Sequence, residues 1–222
     1  MLDDLLQTIA PHHCCSCDKA GPLLCDNCKY DIISEPFSSC VACGQAVAGK
    51  YGICDKCKVA YIRGWCVGDR TDALRILIDH YKFLNARAAY KPLASLLHQS
   101  LPELPETTIV VPIPTISSHI RQRGYDHMYL VAKEFAKLRR LKLSRGLQRR
   151  TTTRQKHANA TIRRRQAKEA FEWTGHIHRD TPYLLIDDVV TTGATLHFAA
   201  KTLRDAGVSE VWVGAISRQP LD

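Results

Sequence analysis

The chain has 222 residues, with 31 Lys and Arg against 22 Asp and Glu for a formal net charge of +9, long enough for one ordinary domain plus a small appendage but not a single miniature scaffold. No apolar run approaches the roughly 18 to 20 residues that span a bilayer, so no membrane insertion is expected. Met1 to Ala10 carries Asp3 and Asp4 where an export signal would carry positive charge, which points to a cytoplasmic location.

In chain order, the first feature is a set of cysteines. Eight of the ten fall in four C-x-x-C pairs: Cys14 with Cys17, Cys25 with Cys28, Cys40 with Cys43, and Cys54 with Cys57. In a reducing compartment such pairs hold metal more readily than disulfides. One C-x-x-C turn supplies two corners of a tetrahedron, and two turns close a structural Zn²⁺. Eight ligands imply two zincs. Seven residues separate the first two turns and ten separate the last two, which favours sequential pairing; a cross-brace, first with third and second with fourth, stays open. Four sulfurs leave no place for water, so the role is structural. Eight thiolates on two Zn²⁺ lower the working charge to about +5. Cys15 is a spare thiol beside a ligand, Cys66 reads as a small apolar residue in a strand, and His12 and His13 flank the first turn. Residues 1–62 are expected to form this double zinc-binding head, too poor in apolar sequence to fold without metal.

From Arg63 onward the composition changes, and residues 63–222 read as an α/β domain with a largely parallel sheet. Thr71 or Asp72 caps a helix with Leu74, Leu77, Ile78 and Tyr81 at helical spacing. Tyr90 to Ser100 continues in the same manner. Pro102 and Pro105 break the chain before a strand at Thr108 to Val111, and Tyr125 to Leu138 is a further helix. Arg139 to Lys168 then holds 12 basic residues and no acidic one, so the whole positive excess is local. Such a run is either a solvated face or an anion-binding surface for polyphosphate or nucleic acid. Tyr183 to Ile186 is a buried strand, Thr195 to Ala206 a helix ended by Gly207, and Val211 to Ile216 a last strand.

Between those last elements lies the segment that carries chemistry. An apolar strand runs into Asp187 and Asp188, then into a turn of Thr191, Thr192, Gly193, Ala194 and Thr195, then into a helix. Backbone N–H groups at the helix start, with the threonine hydroxyls, form a cradle for a phosphate monoester. No Gly-Lys-Ser/Thr follows, which excludes a Walker-type nucleotide site. Carboxylates beside a phosphate must face something else, and vicinal hydroxyls of a ribose suit them.

This segment resembles the phosphoribosyl pyrophosphate (PRPP) binding motif of type I phosphoribosyltransferases. The cysteine pairs, Tyr81-Lys82-Phe83, Val111-Pro112-Ile113-Pro114, Arg121-Gln122-Arg123-Gly124-Tyr125 and Asp187-Asp188 occur in the order of the ComF/ComFC family of competence proteins, and the likeness spans nearly the whole chain. It implies a type I phosphoribosyltransferase fold, Rossmann-like and mostly parallel, behind a small Cys₄ zinc-ribbon-like domain. It further implies PRPP and Mg²⁺ binding, with Asp187 and Asp188 catalytic, Pro114 and Thr115 in a pyrophosphate loop, and Lys82, Arg121 and Arg123 as phosphate contacts. The family's flexible-loop pattern is matched by Arg150, Thr152, Gln155, Arg165 and Phe171. Two departures from the family stand out: Asp126-His127 stands where Asn-Gln is usual, and Gln166 where Asn is usual, which bears on acceptor recognition. The resemblance implies uptake of single-stranded DNA in natural transformation, beside machinery such as a competence helicase. A non-catalytic nucleic-acid adaptor sensing PRPP, or a nucleobase salvage enzyme, are the alternatives. His197, just past the turn, is a further candidate for contact.

Overall fold

Runs of valine, isoleucine and leucine, buried on both faces, build the centre of the molecule. The computed structural model describes residues 13–47, 52–150 and 170–220. In chain order it contains α1 (Asp26–Ser34), β1 (Arg63–Asp69), α2 (Asp72–Phe83), a 3-10 turn (Arg87–Ala89), α3 (Tyr90–Ser100), β2 (Ile109–Pro112), α4 (Ser117–Arg123), α5 (His127–Arg139), β3 (Lys142–Leu143), β4 (Leu147–Arg149), β5 (Phe171–Trp173), β6 (Tyr183–Val190), α6 (Ala194–Asp205) and β7 (Val211–Arg218). Five strands form a sheet in the order β1-β7-β6-β2-β3, each neighbour parallel to the next. Parallel pairing requires crossovers, and the helices that supply them cover the sheet and exclude water. The expected mostly parallel α/β architecture is therefore present.

Side chains of β6 alternate between two cores. Leu184 and Ile186 join Leu74, Leu77, Leu93, Leu97, Val131 and Phe135 of α2, α3 and α5. Tyr183 and Leu185 join Leu196, Ala199, Ala200 and Leu203 of α6. The cysteine turns divide in the same way: Cys14, Leu24 and Cys28 belong to the first core, and Cys40, Val41 and Ala42 to the second. The two turn pairs thus sit against opposite sides of one sheet.

Several elements differ from expectation. α1 starts directly at the second knuckle and buries only Cys28, so its sequence has little apolar periodicity to read. α4 buries nothing; it ends at Gly124, whose φ of 76° supplies the left-handed cap. α5 starts at His127 rather than Tyr125, because the Asp126 carboxylate accepts from Tyr129 N at 3.1 Å and fixes the N-cap there. Thr71, one of the two expected caps, does take the N-cap of α2, but without a side-chain cap bond. β6 extends to Val190, so Asp187 and Asp188 lie inside the strand rather than after it. β4 and β5 form a separate antiparallel ribbon, with Arg149 opposite Phe171.

Candidate functional site

The eight paired cysteines gather into two groups, Cys14-Cys17-Cys25-Cys28 and Cys40-Cys43-Cys54-Cys57, with all sulfurs of a group within 4.8 Å of one another. Sequential pairing holds and the cross-brace does not. Four sulfurs about 2.3 Å from one zinc stand about 3.8 Å apart. Cys17 to Cys25 is 3.7 Å, Cys43 to Cys54 is 3.5 Å and Cys40 to Cys57 is 3.9 Å. Both groups therefore fit structural zinc sites. The backbone N–H of Cys25 donates to Cys14 Sγ, and that of Cys54 to Cys40 Sγ, the second-layer bonds that orient thiolates toward a metal. Cys15 and Cys66 stay outside both groups. Burial, with the neighbouring Cys14 second, pushes the Cys15 thiol up to about 11, and burial pushes Cys66 up to about 12, so both remain protonated.

The cradle forms where β6 turns into α6. Gly193 is the N-cap, with φ of 71° and no side-chain cap bond. The N–H groups of the first helical turn therefore have no intrahelical partner. Asp187, Thr191, Gly193, Ala194 and Thr195 line the hollow in front of them, while Thr192 is exposed on the same turn. The positive end of the α6 dipole adds to the pull on an anion.

Beside the cradle, Asp187 and Asp188 are both buried. Lys82 Nζ stands 3.0 Å from Asp188 Oδ2, and His127 Nε2 stands 2.6 Å from the same oxygen. Arg123 Nη1 lies 3.0 Å from His127 Nδ1. A guanidinium only donates, so Nδ1 accepts and the ring proton sits on Nε2, aimed at Asp188. Arg123 Nε also donates to Lys82 O at 2.7 Å, joining the end of α2 to α4. Thr115 Oγ1 stands 2.8 Å from Asp126 Oδ1 and 3.0 Å from His127 Nδ1, its single proton serving one at a time. Tyr81 OH donates to His127 O at 2.8 Å, which holds α5 against α2.

The two carboxylates are electrostatically unequal. Burial and the charge of Asp188 push the Asp187 carboxyl up to about 7. Burial acts on Asp188 too, but the His127 hydrogen bond and the Lys82 charge outweigh it and hold that carboxyl well below the usual range. The fold thus favours the ionised form of Asp188 and the neutral form of Asp187. Lys82 and Arg149 both favour ionised Asp187, so cations border the pair.

Of the residues singled out by sequence, Lys82, Thr115, Arg123, Asp187 and Asp188 come together with the Thr191–Thr195 turn. Pro114 belongs to the group through its carbonyl, which accepts from Arg149 Nε at 3.4 Å. Arg121 is exposed on α4 and no described contact ties it to the group. Arg150 turns to Glu172, 3.1 Å away at the root of the ribbon. Gln155 and Arg165 lie outside the described residues. His197 packs edge-on against Phe198 within α6. Sequence reasoning missed His127, Arg149 and Asp126; the one signal was the Asp126-His127 departure.

No family model matches the chain. Among curated proteins, Competence protein F of Haemophilus influenzae is 32% identical over 213 residues, covering 88% of this chain and 90% of that protein. DNA utilization protein YhgH of Salmonella typhi is 27% identical over 222 residues, covering 89% and 97%. The Salmonella typhimurium protein of the same name is 27% identical over 224 residues, with the same coverage. No helix among the described residues is long and apolar enough to cross a membrane.

Proposed function

The chain belongs to the competence protein F family, and from that premise we propose that it is a PRPP-binding phosphoribosyltransferase acting in the uptake of single-stranded DNA during natural transformation. One observation carries this reading: a buried acidic pair near the end of β6 lies beside an uncapped helix N-terminus, with Lys82 and Arg149 acting on the acids and Arg123 behind His127. The cradle takes the 5-phosphate, and the carboxylates take the ribose hydroxyls. The cations and the Val111–Thr115 loop take the pyrophosphate. Asp187, which borders the cradle, would be the protein oxygen nearest a Mg²⁺ ion, whose charge would offset that of the pyrophosphate. When pyrophosphate leaves C1 with the bonding pair, the ring becomes electron-deficient; the ionised acids stabilise it and the cations stabilise the leaving group. An acceptor nucleophile then closes the bond to C1.

In this reading residues 1–62 form the double zinc head and 63–222 the phosphoribosyltransferase domain. The names of the Haemophilus and Salmonella relatives support the role in competence and DNA use. Single-stranded DNA and the uptake machinery, such as a competence helicase, are the proposed partners, in the cytoplasm.

Calorimetry tests the central claim. PRPP with Mg²⁺ binds the wild type, and Asp187→Ala with Asp188→Ala weakens it at least about tenfold. Equal affinity in the two proteins removes the PRPP reading.

A further inference from the structure

We propose that Arg218 is a positioning residue coupling the second tetracysteine centre to the phosphate cradle, so that metal bound by Cys40, Cys43, Cys54 and Cys57 orders the Thr191–Thr195 turn and thereby sets affinity for the anion held there. Its consequence for PRPP rests on the functional reading above; the coupling itself does not.

Arg218 closes β7 next to Val190, the last residue of β6. It is 1% exposed, the largest fully buried side chain among the described residues. Its Nη1 donates to two carbonyls at once, Val41 O at 3.0 Å and Thr191 O at 3.1 Å. Val41 is inside the Cys40-Val41-Ala42-Cys43 knuckle, and Thr191 is the first residue of the cradle. A single nitrogen therefore bridges the two turns. The second middle residue of the knuckle touches the cradle as well: a Cβ on Gly193 would lie 3.2 Å from Ala42 Cα and O. Behind the knuckle, Gly44 leaves no room for a side chain, since its Cβ would come 2.8 Å from Arg218 Nε.

Charge explains why an arginine belongs here. A buried guanidinium without a counter-charge is costly, and among the described residues no carboxylate lies within ion-pair distance of Arg218. Its Nη2 has no hydrogen-bond partner either. The neighbouring charge is that of the cysteine group: Val41, between Cys40 and Cys43, accepts from Arg218 Nη1, and Gly44, next to Cys43, lies against the guanidinium. Four thiolates on one Zn²⁺ carry a formal −2. The loaded centre is thus the counter-charge that holds the guanidinium where it bridges the turns. The first cysteine group lies on the opposite side of the sheet and has no such route to the cradle.

Hydrogen exchange on the ligand-free, full-length protein tests the link. Cys43→Ser with Cys54→Ser removes the second zinc, and Cys17→Ser with Cys25→Ser removes the first. Arg218→Lys keeps the positive charge but not the planar fork and should retain both zincs by metal analysis. The hydrogen-bonded amides that clamp the turn, His197 N to Gly193 O and Gln219 N to Val190 O, exchange about tenfold faster in the second-site variant and in Arg218→Lys, but not in the first-site variant. Equal acceleration on emptying either site, or unchanged exchange in Arg218→Lys, overturns the coupling. If the second-site variant loses protection across the whole sheet, the zinc-loaded Arg218→Lys protein decides alone. Calorimetry on the same samples separates the two claims: a wild type that ignores PRPP overturns the functional reading, whereas the exchange result still judges the bridge.

Discussion

His127 Nε2 sits 2.6 Å from Asp188 Oδ2, closer to that oxygen than the Lys82 ammonium at 3.0 Å. The imidazole is fixed from behind by Arg123 at Nδ1, so its proton is directed at the carboxylate and the acid is held in one rotamer. His127→Ala removes a hydrogen bond to a charged group, worth about 1.5 to 3 kcal/mol, and frees Asp188 to turn toward Lys82. PRPP and Mg²⁺ affinity is expected to fall about 10- to 100-fold by calorimetry. His127→Gln, which restores the family's usual residue, should recover most of it. Wild-type affinity in His127→Ala would mean that Lys82 alone positions the acid.

The inequality of the two carboxylates sets a pH dependence. Asp187 has a folded pKa raised to about 7, so the fold favours its neutral form. Its contribution to stability is complete below the unfolded pKa of about 4 and is lost as pH rises through about 7. Asp188 has the opposite sign: its ionised form is favoured, and that contribution disappears only in strong acid. Because a ligand carrying Mg²⁺ prefers ionised Asp187, affinity should rise between pH 6 and 8 and binding near pH 7 should release a proton. Titrations in buffers of different ionisation enthalpy count that proton. A pH-independent affinity in this range would show that Asp187 does not meet the ligand.

Metal content is a direct check on the two cysteine groups. About two zincs per chain are expected by elemental analysis, and chelation should unfold the segment around α1, because Cys28 is its one buried residue. One zinc per chain would leave one of the groups as free thiols.

Much of this was readable from residues alone, for physical reasons. Strands covered on both faces are continuous apolar runs, so β2, β6 and β7 stood out. Ligand spacing within a C-x-x-C turn is local, as is the run from strand to acids to glycine turn. What escaped the sequence depends on distant parts of the chain. Arg218 meets Val41 across 177 positions, and as a final arginine after an apolar strand it looks like a surface charge. α4 has no apolar face to announce it. His127 was visible only as a departure from a pattern; its role needed the position of Arg123 and Asp188.

Gly193 is required twice, by its φ of 71° and by the 3.2 Å that a Cβ would leave to Ala42. Gly193→Ala is expected to cost about 1 to 2 kcal/mol from the left-handed backbone alone, seen as a lower denaturation midpoint. Affinity for ribose 5-phosphate should fall with it, because the amides that cradle the phosphate begin at this residue. Gly207, also at positive φ but with nothing within 4 Å of its Cβ, is the control: Gly207→Ala should cost stability and leave affinity unchanged.

The basic stretch Arg139 to Lys168 is less uniform than its charge suggests. Arg139 donates to the carbonyls of His98, Leu101 and Pro102 and ties α5 to the end of α3. Arg145 lies over the Tyr129 ring at 4.4 Å and Arg149 over Phe171 at 4.9 Å. Arg150 pairs with Glu172. These four charges are committed to the fold or its site; of the eight that remain, Arg163, Arg164 and Arg165 are the contiguous cluster and the part of the run to test for nucleic acid. Replacing those three by Gln should lower the salt slope of single-stranded DNA binding by about 2, at roughly 0.7 per phosphate neutralised, with little change in thermal stability. Arg139→Ala should do the reverse, lowering stability by about 1 to 3 kcal/mol through three unpaired carbonyls while leaving the slope alone. If the triple substitution leaves the slope unchanged, the stretch serves pyrophosphate and structure rather than DNA.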